Sequence, residues 1–210
     1  MVEQVLIDGG TSRLSDYPDV RPPHKYHILV DPGHGGRDPG AVGRVHGTAE
    51  RDVVMQISQM MKELSEHGRT GVLLTRRDNL TNRTIRERTT FPKTPKVDAF
   101  ISLHCNAFTD TRVHGMEVFY WQDNVNGRRL SQFILSDVLR DTSWHSRGVK
   151  STNVFGVLRR TPKLPSCLVE YNFISNHKME EEFRDIDTLF KLASATYTAV
   201  ERYLDVHGRT

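Results

Sequence analysis

In His27-Ile28-Leu29-Val30-Asp31-Pro32-Gly33-His34-Gly35-Gly36 an apolar run passes directly into a glycine turn that holds a histidine. A short apolar run closed by proline and glycine has the pattern of a buried strand. In α/β proteins the loops at strand ends carry the chemistry. His34 therefore stands where a stiff strand can present a side chain to a ligand.

Outward from this stretch the chain alternates strands and amphipathic helices. From Glu50, the apolar residues Val53, Val54, Ile57, Met60, Met61 and Leu64 recur at helical spacing, and His67-Gly68 closes the run. Arg37 to Thr48 forms a glycine-rich surface loop, and Thr48 is a candidate helix cap. Val72 to Leu74 is a second strand, Thr81 to Thr90 a helix, Val97 to Leu103 a third strand and Gly115 to Trp121 a fourth. Gly127 to Leu139 is a helix, Phe155 to Leu158 a weak strand, and Ser166 to Val169 the last core strand. One long helix beginning near Asn176, with its main run from Glu180 to Leu204, closes the chain. This alternation predicts a layered α/β fold. Residues 1–26, with Gly9-Gly10, Pro18, Pro22 and Pro23, have the composition of a tail or strap, which leaves 27–210 as the domain.

Composition narrows the function. At 210 residues, 37% hydrophobic and 26% charged, the chain suits one domain with a full core. A net charge of +3, with scattered basic residues, falls short of a nucleic-acid signature. No apolar stretch reaches about 18 residues, so no membrane span is expected, and no signal peptide is recognised. Cys105 and Cys167 lie in apolar runs without a CxxC pair, as small core residues do.

Four polar residues stand at element ends: His34 after the first strand, Glu50 at the first long helix, His104 after Ile101-Ser102-Leu103, and Glu170 after Cys167-Leu168-Val169. In a mostly parallel sheet, the carboxyl ends of the strands gather on one edge, so these residues can meet. Two imidazoles and a carboxylate are a protein set for catalytic zinc, with a fourth position open to water. A second, unligated carboxylate can move the water's proton. Glu50 fits the ligand role and Glu170 the base, although spacing alone also permits the reverse. Glu50 taken singly is equally an ordinary first-turn glutamate. The glycine turn has neither the GK[ST] ending nor GxGxxG spacing of phosphate loops, and no G-x-S-x-G elbow is present. Neighbours on a strand point to opposite faces, which argues against a His104–Cys105 pair.

These motifs resemble the zinc-dependent N-acetylmuramoyl-L-alanine amidases of the amidase 3 type, found in bacterial cell-wall amidases and phage endolysins. The likeness runs through Ile28 to Ala41, Glu50, Leu74-Thr75-Arg76 with Asp78, Ile85 with Arg88, Asp98 to Ala107, Gly115 to Tyr120, Arg147-Gly148-Val149, Val157-Leu158-Arg159, and Leu168-Val169-Glu170 through Asn176. It implies a three-layer αβα fold with a twisted, mostly parallel six-stranded sheet and helices on both faces. It implies Zn2+ as cofactor, with His34, Glu50 and His104 as ligands and Glu170 as catalytic carboxylate. The implied substrate is peptidoglycan, cut between the lactyl group of N-acetylmuramic acid and L-alanine. Asn106, Arg147 and Arg159 are candidates for binding the substrate.

Two positions depart from the family pattern. Thr89-Thr90-Phe91-Pro92-Lys93 replaces an Ala-Asn pair, and Asn172 stands where glycine is common. The stretch from Tyr120 to Arg147 has room for one helix, not for the additional plug helix of some relatives, and no C-terminal wall-binding module is recognised. The expectation is a monomer acting on the cell wall, either as a phage-type lysin released from the cytoplasm or as a secreted enzyme whose leader is missing. A zinc peptidase acting on the stem peptide and a non-catalytic wall-binding protein are the competing readings.

Overall fold

A computed structural model describes residues 24–90 and 96–208. Most of the 1–26 segment and residues Phe91 to Lys93 lie outside the described residues.

The strands are β1 (Tyr26–Pro32), β2 (Thr70–Leu74), β3 (Ala99–Asn106), β4 (Met116–Trp121), β5 (Ser146–Thr152) and β6 (Ser166–Phe173). The helices are α1 (Glu50–Leu64), α2 (Ile85–Arg88), α3 (Val125–Thr142), α4 (Gly156–Arg159), α5 (His177–Glu182) and α6 (Ile186–His207). The strands form one six-stranded sheet in the order β2-β1-β3-β6-β4-β5. All neighbours run parallel except β4 and β6. The expected α/β fold, mostly parallel with helices on both faces, is the one observed.

Because side chains alternate along a strand, each strand feeds two cores. Ile28, Val30, Ile101, Leu103, Cys105, Val118, Val169 and Tyr171 pack against α1, α3 and α6. Leu29, Leu73, Phe100 and Leu168 face the other way, onto Val157 and Leu158 of α4. One sheet face is thus covered by three long helices and the other by only short pieces. The thinly covered face is where a cavity can open.

Several sequence expectations are corrected. Phe155 to Leu158 is not a strand: Phe155 precedes the single turn of α4, whose Val157 and Leu158 are buried. A short apolar run has no period that separates the two conformations. The closing helix is two helices, because Asp185 accepts from the N–H of Thr188 and starts α6 anew. The helix expected over Thr81 to Thr90 is confined to α2, which begins at the capping box of Thr84 and Glu87. The residue before α1 is Ala49, without a side-chain cap, whereas Thr48 donates its backbone N–H to Glu180. The polar edge strand β5 was not expected from the sequence; Val149 is its only aliphatic residue.

Candidate active site

His104 and Glu170 lie inside β3 and β6 rather than just beyond them, and are register partners. Both project from the thinly covered face, with the parity of Phe100 and Leu168. Cys105 turns to the opposite core and is buried, as is Cys167. Burial pushes both thiols up, away from reactivity.

His34 adopts a left-handed backbone, φ 60°. Such strain persists only where surrounding contacts overdetermine it. Here two buried arginines hold the turn. Arg88 donates to the carbonyls of Pro32 (2.9 Å) and His34 (2.5 Å) and to Asp31 Oδ1 (2.9 Å). Arg76 donates to the carbonyls of Pro32 (3.0 Å) and Gly33 (2.8 Å). Burial, with Arg88 nearby, brings the Arg76 guanidinium down to about 10, still charged at neutral pH. Asp31 also accepts from the hydroxyls of Thr75 (2.6 Å) and Ser102 (2.8 Å). Gly33 leaves room for the second imidazole: a Cβ there would stand 2.4 Å from Cε1 of His104.

Glu50 enters from the first turn of α1. Its carboxylate accepts the N–H of Ala41 (2.8 Å) and of Cys105 (3.0 Å), which fixes its orientation. His34 Nε2 lies 3.1 Å and His104 Nδ1 2.9 Å from Glu50 Oε1. The donor atoms of His34, Glu50 and His104 all fall within 4.8 Å of one another, so the three could hold one metal ion. Burial alone would raise the Glu50 carboxyl, but hydrogen bonds with both histidines hold it well below the usual range. Burial alone would lower His34, and its bonds to Glu50 and Asp38 raise it.

Glu170 closes a cavity of about 330 Å3 that it shares with His34, His104, Arg88, Ile85 and Phe155. Protein surrounds it except on the cavity side. Its Oε2 has no hydrogen-bond partner. Burial, then the charges of Glu50 and Glu117, push its carboxyl well above the usual value. A buried carboxylate with an unpartnered oxygen, on a residue that lines a cavity beside a cluster of possible metal donors, is a candidate for proton transfer.

Residues 28–202 match the family described as Amidase_3, N-acetylmuramoyl-L-alanine amidase. The chain belongs to this family. Among amidases of this kind, the N-acetylmuramoyl-L-alanine amidase LytC of Bacillus subtilis is 31% identical over 179 residues, 84% of this chain and 35% of LytC. The probable cell wall amidase LytH of Staphylococcus aureus is 31% identical over 163 residues, 75% of this chain and 51% of LytH. The chain thus spans about a third to a half of these two relatives. The CwlD amidase of Clostridioides difficile, solved in complex with the GerS lipoprotein, superposes with a TM-score of 0.76 at 30% identity, covering 86% of this chain and 99% of that one. An N-acetylmuramoyl-L-alanine amidase from Clostridium difficile 630 gives 0.81 at 26% identity, covering 87% and 98%.

Of the substrate-binding candidates, Asn106 donates to Glu117 Oε1 (2.8 Å) and Arg147 to Glu117 Oε2 (2.9 Å). Arg159 is exposed at the end of α4 and does not line the cavity. Asn172 is buried within β6, where its side-chain oxygen accepts from the N–H of Gly115 (2.7 Å). The sequence reading assigned no role to Asp38, whose Oδ2 meets His34 Nδ1, or to Glu117 and Lys150. Asp38 lies four residues after His34, in the quoted motif, and was detectable; nothing local in the sequence marks Glu117 as buried.

Proposed function

We propose that the chain is a zinc-dependent N-acetylmuramoyl-L-alanine amidase that cuts the amide between the lactyl group of N-acetylmuramic acid and L-alanine in peptidoglycan. The observation that carries this reading is the pairing of Glu170 with His104 across β3 and β6, which sets an unpartnered carboxylate oxygen beside three converging metal donors. Two imidazoles and one carboxylate suit zinc with an open coordination position. Family membership supports both the bond and the polymer.

His34, Glu50 and His104 would hold the ion. Bound zinc supplies an electrophile for the scissile carbonyl and draws the pKa of water toward neutrality. Glu170 takes the proton of the attacking water and returns it to the departing alanine nitrogen. Its apolar strand shields it from solvent except on the cavity side. Arg88, through Pro32 and His34 carbonyls, keeps the first ligand in place. Residues 27–210 make up the catalytic domain, and the chain works at the cell wall as a monomer. Among the described residues no helix is long and apolar enough to cross a membrane.

Digestion of purified peptidoglycan tests the reading. The expected products are new L-alanine amino groups on an intact glycan. Cuts within the peptide would instead identify a stem-peptide peptidase, and no new termini would identify a binding protein.

A further inference from the structure

A single row of register partners crosses the sheet. His104 on β3 pairs with Glu170 on β6, Glu170 with Glu117 on β4, and Glu117 with Gly148 on β5. The row begins at a metal-donor residue and ends at the edge of the sheet. Partners in register project from the same face, so Glu117 stands beside Glu170 on the thinly covered face of the sheet, next to the residues that line the cavity rather than among them.

Two cations close the row. Arg147 Nε donates to Glu117 Oε2 at 2.9 Å and Lys150 Nζ to the same oxygen at 2.5 Å. Glu117 itself is buried, with its side chain 6% exposed, but Arg147 is 34% and Lys150 39% exposed. Arg147 reaches this face because the ladder slips by one residue: Met116 pairs with Ser146, but Glu117 pairs with Gly148. Arg147 is the extra residue of that bulge, and Gly148 takes the positive φ of 87°. Bulges beside active sites re-aim side chains in this way. The Arg147 guanidinium also lies 4.9 Å over the ring of Phe173, a favourable cation–π distance. Among the described residues Glu117 is the acceptor it bonds, so its two terminal nitrogens are available. One buried carboxylate thus braces two half-exposed cations, for a local charge of +1.

The amidase reading says what would come here. Strands lie ~4.8 Å apart, so the cations stand one to two spacings, about 5–10 Å, from Glu170. An extended peptide covers ~3.3–3.6 Å per residue, so an arm leaving the scissile bond toward β4 and β5 brings its second residue to them. We propose that Arg147 and Lys150, braced by Glu117, form a subsite for a free carboxylate on the second residue of the peptide arm. This deepens the proposed function and rests on it. Planar guanidinium and carboxylate match as a two-point pair.

The test uses the zinc-loaded full chain and two muramoyl tripeptides, both amidated at the C-terminus. They differ only in the second residue, a glutamate linked onward through one of its two carboxyls, whose other carboxyl is either the free acid or a carboxamide. The free acid is expected to have a KM about tenfold lower, a charge-assisted hydrogen bond's worth. In Arg147→Ala/Lys150→Ala the ratio of the two KM values falls to about one, whatever common change the uncovered Glu117 charge makes to both substrates. A merely structural role would leave the tenfold ratio in place, and that result overturns the subsite, as does a wild-type protein that treats both alike. Arg147→Gln gives the same comparison if the double variant does not fold. If neither tripeptide is cut, the amidase reading fails, and calorimetric binding of the two tripeptides decides the subsite separately. Tighter binding of the acid, lost in Arg147→Gln, supports it; equal binding overturns it.

Discussion

Asp38 Oδ2 lies 2.9 Å from Nδ1 of His34, on the ring nitrogen that Glu50 does not meet. A carboxylate in this position fixes the tautomer of a metal-binding histidine and raises its basicity. Asp38→Asn is expected to weaken zinc affinity by about 10–100-fold while the protein still folds. Competition with a chromophoric chelator measures it; unchanged affinity would show that Asp38 only caps the loop.

The ligand set makes a stronger demand. His34→Ala, His104→Ala and Glu50→Ala should each release the metal, and elemental analysis of the purified variants checks this. Chelator treatment of the wild type should abolish wall hydrolysis, and added zinc should restore it. Full occupancy in any of the three variants would remove that residue from the set.

Glu170→Gln keeps the shape of the side chain and removes the base. Metal content should stay at the wild-type level while the rate falls by about 10²–10⁴-fold, the range of general acid–base catalysis. Turnover near the wild-type rate with normal metal would reassign the proton transfer.

Arg88 and Asp31 are a buried ion pair, 2.9 Å apart. Arg88→Ala leaves the carboxylate with hydroxyl partners and no cation, and should cost about 3–5 kcal/mol of stability. Because Arg88 also holds the His34 carbonyl, metal content should fall with it. Thermal unfolding and elemental analysis read the two effects; loss of stability at full metal occupancy would separate the pair from the site.

Glu180 on α5 accepts the N–H groups of Val45, His46 and Thr48, clamping the loop that leads into Glu50. Burial alone would raise its carboxyl, but these bonds outweigh it and hold it below the usual value. A carboxyl depressed in the folded state stabilises above its unfolded value, about 4.3, and that contribution is lost as pH falls through the folded value. Glu180→Gln should therefore melt below wild type at pH 7, and the gap should narrow as the pH falls below about 4.3. A constant gap across that range would show that Glu180 does not titrate with folding.

Much of this site was legible in the sequence because its polar residues interrupt otherwise apolar strands. His34, His104 and Glu170 each end or break such a run, and Glu50 opens a helix with clear periodicity. What escaped reading depends on long-range pairing. Glu117 looks like the solvent side of an alternating strand until β6 places Glu170 beside it. β5 carries no apolar alternation, so its existence, and the bulge that turns Arg147 inward, follow only from pairing with β4. The single turn of α4 and the break before α6 are decided by tertiary burial and by the Asp185 cap, which override a plausible longer pattern.

His104 and Cys105 are neighbours that face opposite sides of β3. A slip of one residue in that strand would drop the imidazole into the oily interior and offer a thiol to the cavity. The donor cluster thus exists only in the correct register: on the proposed function, a copy with β3 misaligned would lack one of its three metal donors and with it the chemistry.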